Sequence, residues 1–385
     1  MADLTQIGKN IRTYRMREGL TQRALADNVL VSFQAISAWE RGLSVPDLEN
    51  AIRLANYFGV PVDALFAESE SSLLVGIDGG GTKTEFLLFC SDGTQIKRIV
   101  LGCSNPNVVG IEKCAQLLKC GIDEMLGVYP QIKAVYIGAA GFLLGNNAET
   151  IKKELESYYD GRFDMIIQCK TDVLNVIACA DLQKTDCMAV ICGTGFSVGI
   201  KEKDIIKTSA GWGYLVNKWG SGFDIGRDGL YYALMDTEGI GETTLITEII
   251  KDNYGEDIYA VLRDVYSKGQ SYVAGFAKIV FEAYLKGDVT AKKIIEDNAA
   301  CVAKIINQVS KIHPNITQIV LSGGLFANST IYADLVKKNI AGNLVATVIE
   351  FPQIYGACLE SARMCGVNTK IIKENFVEEY RKWDK

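Results

Sequence analysis

Four places in this chain combine residue types and spacing that could do chemistry. The first is "GIDGGGTKTEFLLF", residues 76–89. An apolar run ends at Asp78, three glycines follow, and a second apolar run begins almost at once. That is a hairpin folded around glycines, whose backbone N–H groups can come close to a phosphate because no side chain intervenes. Asp78 can hold a magnesium ion directly or through water, and Thr82 can donate to a phosphate oxygen. The loop is not Gly-x-x-x-x-Gly-Lys-Ser/Thr, nor Gly-x-Gly-x-x-Gly, and it leads into a strand rather than a helix.

The second place repeats the first about 115 residues later. "CMAVICGTGFSVGIKEKDIIKTSAG" reads as strand, glycine turn at Gly193–Gly195, strand, charged turn, strand. Two such hairpins predict duplicated halves that face each other across a cleft, each lending a loop to one nucleotide. The third place is "ITQIVLSGGLFANSTIYADLV", a strand ending in Ser322, Gly323 and Gly324, then a helix carrying Asn328. Such a break lets a flat ring, such as adenine, lie against backbone. A late helix, "IYGACLESARMCG", brings Gly356, which could pack close to that ring. The fourth place is "RFDMIIQCKTDVLNVIACA", a strand ending in Asp172, then a helix. A carboxylate at a strand end in a cleft is placed to take a hydroxyl proton. A helix N-cap is the plain structural alternative. His313 is the only histidine, so a base in this chain has to be a carboxylate.

The elements that position these groups must fit in 385 residues, enough for two or three domains. A composition 48% hydrophobic and 22% charged is globular. A net charge of -6 argues against a basic nucleic-acid surface over the whole chain, although a local patch can differ from the total. The 11 cysteines are scattered, many in apolar runs such as those of Cys90, Cys179 and Cys192, with no zinc spacing. They read as reduced core residues. "MADLTQIGKN" has no apolar signal core and no run of 18 apolar residues occurs, so a cytoplasmic protein without membrane spans is expected.

Before the first glycine loop, periodicity predicts a compact set of short helices. Leu4, Ile7, Ile11 and Tyr14 share one face, with Gly19 as a stop. Thr21 caps a second helix with Leu25 and Ala26 inward. Ser32 caps a third, closed by Gly42. Asp47 caps a fourth with Leu48, Ile52 and Ala55 on one face. Two short helices joined by a tight turn make a helix-turn-helix. A bundle used for protein contact is the alternative. The string "LTQRALADNVLVSFQAISAWERGLSVPDLENAIRLANYFGVPVDAL" closely resembles the Xre/Cro-like repressors over about residues 6–66. The resemblance implies that the helix from Ser32 enters the major groove of double-stranded operator DNA. It implies a phosphate or base contact for Gln22, and places Ser32, Phe33, Gln34 and Ser37 toward bases. Gln34 could bond adenine bidentately. Arg12, Arg15, Arg17, Arg23 and Arg41 would serve phosphates. Two departures stand out. Leu30 occupies the usual turn glycine, and Phe33 holds a position that is often polar or basic, where an aromatic ring could touch a thymine methyl.

From about residue 73 to 366, the combination "DGGGTKT", "SNPN", "TD" at Thr171–Asp172, "GTG", "GWG…GSGFDIGRDGL" and "SGGLF" resembles the sugar kinase/Hsp70/actin superfamily. Within it, the nearest resemblance is to the BadF/BadG/BcrA/BcrD-type ATPases and N-acetylglucosamine kinases. The resemblance implies an α/β actin-like ATPase fold of two duplicated ribonuclease H-like lobes, using ATP and Mg2+. It implies nucleotide contacts at Gly80, Gly81, Thr82, Lys83, Thr194, Gly195, Gly323, Gly324 and Gly356. Asp172 matches the catalytic aspartate. Asn105, Asn107, Gly211, Trp212 and Gly213 would meet the sugar. The family's acidic segment after "GWG" is replaced here by "NKWGS". Lys218 takes the place of a sugar-binding aspartate, Trp219 stands beside it, and Phe196 replaces a common serine. Three readings follow: an anionic ligand paired with Lys218, binding without turnover, or a drifted surface loop.

The expected organisation is therefore an all-α helix-turn-helix domain at 1–68, a linker at 69–72 in "AESESS", a first lobe at 73–185, and a second lobe at 186–385 with a helical insertion. Between Glu242 and Ile312 the apolar stripe Ile295, Ala299, Val302, Ile306 and Val309 reads as core packing rather than a dimer or lid helix. The expected function is a sugar-responsive, homodimeric transcriptional regulator that binds an amino sugar or acidic sugar and ATP. The alternative is an active N-acetylglucosamine/N-acetylmuramate-type kinase with an accessory helix-turn-helix. An ATPase activator of a 2-hydroxyacyl-CoA dehydratase is a third reading, which would need cysteine ligands for an iron–sulfur cluster.

Overall fold

The structure, a computed structural model, describes residues 4–18, 20–66, 72–127, 131–216, 218–255, 258–370, 372–373, 375–376 and 380. The expected stop at Gly19 and the linker, apart from Ser72, lie outside them.

Helices α1 (Leu4–Arg17), α2 (Gln22–Asn28), α3 (Phe33–Glu40) and α4 (Leu48–Phe58), then a 3-10 turn at Val62–Leu65, form the first domain. The caps are the expected ones. Thr21 accepts from the Ala24 N–H, Ser32 from Ala35 and Asp47 from Asn50, at 3.1, 3.1 and 2.9 Å. Each satisfies one donor that the helix start would otherwise leave open. Ile7, Ile11, Leu25, Ile36, Trp39 and Leu54 fill the core. Helix α4 differs from expectation. It turns Ala51, Leu54 and Ala55 inward, while Leu48 and Ile52 are exposed. Small alanines beside Leu54 let α4 lie close to its neighbours, and Leu48 and Ile52 fall on the outer face. Leu30, at the turn between α2 and α3, has φ 58 and is 79% exposed. The turn has kept its left-handed geometry without the glycine.

The remaining chain builds two sheets of one design. In the first, β1 (Leu73–Gly79), β2 (Thr84–Cys90), β3 (Gln95–Leu101), β4 (Ile132–Ala139) and β5 (Ile166–Thr171) lie in the order β3-β2-β1-β4-β5. The β1–β2 and β2–β3 pairs are antiparallel, whereas β1–β4 and β4–β5 are parallel. In the second, β6 (Cys187–Cys192), β7 (Phe196–Glu202), β8 (Ile205–Ala210), β9 (Gln318–Ser322) and β10 (Val345–Val348) repeat that order and those senses. The duplication expected from two glycine hairpins is thus a duplication of whole lobes.

Helices α5 (Pro106–Val109), α6 (Ile111–Leu126) and α7 (Asn147–Tyr159) belong to the first lobe, and α8 (Asp172–Cys179) leads toward the second. There α9 (Gly222–Thr237), α10 (Leu245–Tyr254), α11 (Ile258–Gly275), α12 (Ala277–Leu285) and α13 (Val289–Ile312) precede β9. The expected stripe on α13 is buried throughout. After β9 the chain makes two helices, α14 (Gly324–Ala327) and α15 (Thr330–Lys338), rather than one, and Asn328 ends the first of them.

The second lobe does not keep everything after residue 186. Helix α16 (Gln353–Met364) returns to the first sheet. Ile354, Tyr355, Ala357, Cys358 and Leu359 share a core with Leu74, Leu87, Phe89 and Tyr136, joined by Ile372 and Phe376. One face of the first sheet would otherwise stay bare, and burying an apolar face decides where a terminal helix docks. A Cβ at Gly76 would fall 2.7 Å from Cys358, so the strand needs glycine where α16 crosses it.

Candidate active site

Asp78 lies next to last in β1, and Asp172 opens α8 directly after β5. Parallel β1 and β5 flank β4, so both carboxylates emerge at the same edge of the first sheet. The N-cap of α8 is Thr171, whose hydroxyl accepts from Val173 and donates to Asp172. Asp172 is therefore spared the capping role. Burial raises its pKa, against the pull of the Thr171 and Val173 hydrogen bonds. Burial also pushes Asp78 up to about 7, with the Asp172 charge adding to the rise and the Asn175 hydrogen bond opposing it. Two neighbouring carboxylates with raised proton affinity suit a metal ligand and a proton acceptor.

Glycine turns surround this edge. In the β1–β2 turn the Gly80 N–H donates to the Lys83 carbonyl at 2.9 Å, and Gly81, Thr82 and Lys83 are exposed. In the β6–β7 turn Gly193 donates to Gly195 at 2.9 Å. The start of α9 docks on it: Gly222 donates to Gly193 and Phe223 to Thr194, at 2.8 and 3.1 Å. Gly323, φ 104, is pressed against the end of β6, where a Cβ would meet the Cys192 carbonyl at 2.4 Å. Helix α11 is broken at Gly269, φ 71, and its next residues approach the β1–β2 and β6–β7 turns. Ser271 Oγ lies 3.1 Å from Thr82 Oγ1, and Gln270 Nε2 approaches Gly195. Thr82, Gly195 and Gly323 thus lie close together. Gly356 does not join them. It is buried where α16 crosses α8, and a Cβ there would sit 1.9 Å from the Asn175 carbonyl. Its glycine serves helix packing, not a nucleotide.

On the first-lobe side, Asn105 caps α5 by accepting from the Asn107 N–H at 3.0 Å. Asn147 reaches Asn107 Oδ1 at 3.1 Å and the Gly141 carbonyl at 3.0 Å. A cluster of amides results, of which Asn147 escaped the sequence reading. On the second-lobe side, Gly211 and Gly213 adopt φ 114 and 105, and Trp212 between them is 61% exposed. A Cβ at Gly211 would strike the Phe196 carbonyl at 2.8 Å.

The two departures from the family pattern meet each other. Phe196 and Trp219 stack with centroids 6.0 Å apart and planes 12° from parallel. Trp219 is packed rather than adrift, and its indole N–H is buried without a hydrogen-bond partner among the described residues. Lys218 finds a countercharge within the protein, Asp228 at 3.0 Å. Arg227 joins Asp224 and Asp228 at 3.1 and 3.0 Å. Two cations and two carboxylates balance, so the reversal at Lys218 leaves little net charge to offer an anionic ligand. The i, i+4 spacing of Asp224 and Asp228 was visible in the sequence, but their partners were not.

Among the described residues no group of three or more His, Cys, Asp or Glu could cage a metal. Magnesium does not need one. It is held by one or two carboxylates plus phosphates and water, and Asp78 beside a glycine turn fits that donor set.

In the first domain, Phe33, Gln34 and Ser32 are exposed at the start of α3, and Ser37 lies one turn on. Arg41 and Arg23 are exposed too. Gln22 donates to Glu40 at 2.7 Å. Arg15 departs from its expected phosphate role. It is buried and paired with Glu40 at 2.6 and 2.9 Å, with a third bond to the Leu20 carbonyl. The Arg17 side chain lies outside the described residues. No helix among the described residues is long and apolar enough to cross a membrane.

The family model of the BadF/BadG/BcrA/BcrD ATPases matches residues 75–359, and a helix-turn-helix model matches residues 11–65. An N-acetyl-D-glucosamine kinase of Dictyostelium discoideum is 26% identical, the match covering 70% of this chain and 91% of that protein. An N-acetylmuramic acid/N-acetylglucosamine kinase of Clostridium acetobutylicum is also 26% identical, over 69% and 89%. Among solved structures, a ROK family transcriptional regulator described as a homolog of E. coli MLC matches 97% of this chain and 99% of its own. Its TM-score is 0.52 at 13% identity, a likeness of fold alone.

Proposed function

Because the chain belongs to the BadF/BadG/BcrA/BcrD ATPase family and carries a helix-turn-helix in front of that domain, we propose that it is a DNA-binding regulator that senses a sugar. In this reading a dimer of the Xre-like domain reads operator DNA, with Phe33, Gln34 and Ser37 toward bases and Arg23 and Arg41 on phosphates. The kinase-like domain binds ATP with Mg2+ and an amino sugar. Asp78 holds the metal. The Gly80–Lys83, Thr194–Gly195 and Gly323–Gly324 segments surround the nucleotide, and the Asn105, Asn107 and Asn147 amides pair with sugar hydroxyls and an acetamido group. When bound, the metal neutralises phosphate charge. Asp172 accepts a hydrogen bond from the sugar hydroxyl, and would take its proton only if phosphoryl transfer occurred.

The observation that carries the sensor reading is the Phe196–Trp219 stack, with Lys218 neutralised beside it. Together they set an aromatic pair and a balanced charge network where the family has polar and acidic residues, while the nucleotide side keeps its glycine turns. Closure of the lobes on ligand is the event that alters DNA binding. A thermal-shift panel of sugars with ATP and Mg2+, followed by ADP-release assays, tests the reading. The sensor reading predicts sugar-dependent stabilisation with slow or no ADP release. Rapid ADP release with N-acetylglucosamine or N-acetylmuramate, lost in Asp172→Asn, establishes a working kinase instead.

A further inference from the structure

We propose that Asn175 is a positioning residue that aims Asp78 at the metal, an inference that rests on reading the cleft as an ATP–Mg2+ site. Asn175 lies three residues after Asp172 on α8 and is fully buried. Its Nδ2 donates to Asp78 Oδ1 at 2.8 Å and to the Gly138 carbonyl at 3.1 Å. Both neighbours are acceptors, which fixes the orientation of the amide: turned over, its oxygen would face oxygen. One carboxylate oxygen of Asp78 is thereby held, and the carboxylate cannot rotate freely.

Two glycines make the room. A Cβ at Gly138 on β4 would lie 1.9 Å from Asn175 Oδ1, and one at Gly356 on α16 would lie 1.9 Å from the Asn175 carbonyl. Packing alone does not account for an amide in that space. Its Oδ1 is buried and, among the described residues, has no hydrogen-bond partner. An apolar residue would fill the gap without leaving an acceptor unpaired, and buried unpaired groups are costly. The rest of α8 is apolar where it meets the second lobe, through Val173, Val176 and Ile177. The polar exception on this helix faces the carboxylate. Since α8 also starts with Asp172, one rigid helix fixes both carboxylates relative to each other. Partners that orient a metal ligand in this way change metal affinity by roughly 10–100-fold when removed.

The test compares wild type, Asn175→Ala and Asn175→Ser in the full chain. A fluorescent ATP analogue reports nucleotide affinity in EDTA and across a Mg2+ titration, and thermal unfolding reports folding. Serine is too short to span both acceptors but leaves less space than alanine, which guards against a variant that fails to fold. The expected result is a Mg2+ affinity at least tenfold weaker in both variants, with metal-free nucleotide affinity within twofold of wild type. Equal losses with and without Mg2+, or an unchanged Mg2+ affinity, overturn the proposal. A wild-type protein whose nucleotide binding ignores Mg2+ removes the underlying site reading, and is seen before any variant is made.

Discussion

Replacing Arg15 by alanine separates the structural from the DNA-facing arginines. Arg15 joins α1 to the end of α3 through two bonds to Glu40, and holds the α1–α2 connection through Leu20. The two side chains are 10% and 2% exposed. Arg15→Ala leaves the Glu40 carboxylate buried, with the Gln22 amide as its remaining hydrogen-bond partner among the described residues. Removing one partner of a buried pair costs about 3–5 kcal/mol, mostly the penalty of the stranded charge. A domain of this size has a stability of roughly 3–9 kcal/mol at about 0.05–0.15 kcal/mol per residue. The variant should therefore lose most of the stability of its first domain while the ATPase domain melts as before. Calorimetry of the full chain, with proteolysis at rising temperature, separates the two transitions. Arg23→Ala is the control: its melting should be unchanged, and the slope of log K against log salt for DNA binding should fall by about 0.9. An Arg15→Ala variant that melts like wild type and shows that same reduced salt slope would refute the structural role, because Arg15 would then face phosphate.

Three further outcomes are expected. Leu30→Gly should raise the melting temperature of the first domain, because a left-handed residue other than glycine costs roughly 1–2 kcal/mol and the added freedom of glycine returns only about 0.5–1; an unchanged or lower transition by calorimetry contradicts the φ of 58. Gly356→Ala should destabilise the ATPase domain by about 1–3 kcal/mol through the clash with Asn175, seen as a lower denaturant midpoint, whereas full stability with weaker nucleotide binding would return Gly356 to the nucleotide site. Asp78, with its pKa near 7 against an ordinary 3.8, binds more protons folded than unfolded between those values. Its contribution to stability is present at low pH and is lost as pH rises toward 7. Magnesium needs the ionised form, so Mg2+-dependent nucleotide binding should strengthen up to about pH 7, level off above it, and release protons near pH 6. Calorimetry in buffers of different ionisation enthalpy measures that release, and buffer-independent heats at pH 6 would contradict it.

Much of the fold was legible because its signals are local. Glycine turns between apolar runs gave the hairpins, their recurrence gave the second lobe, and Thr21, Ser32 and Asp47 marked helix starts. Long-range choices were not legible. Nothing in the composition of α16 says that it crosses β1 rather than the second sheet, so the division at residue 186 misassigned it, and Gly356 with it. In the site, the carboxylates at strand ends and the glycine loops could be read. Their supports could not. Asn175 looks like one polar residue in an apolar helix until Asp78 is found 2.8 Å away. Lys218 looks like a bare charge until Asp228 is seen beside it. Arg15 reads as one basic residue among several until its burial is known.

In the proposed regulator, ligand binding in the ATPase domain changes DNA binding in the first domain. The most direct test selects an operator from random duplexes. Its affinity for the full chain is then measured at fixed salt, alone, with ATP and Mg2+, and with ATP, Mg2+ and the sugar that gives the largest thermal shift. Sugar with ATP–Mg2+ should shift operator affinity by about 5–150-fold, the usual range of allosteric coupling. The same affinity under all three conditions would contradict it.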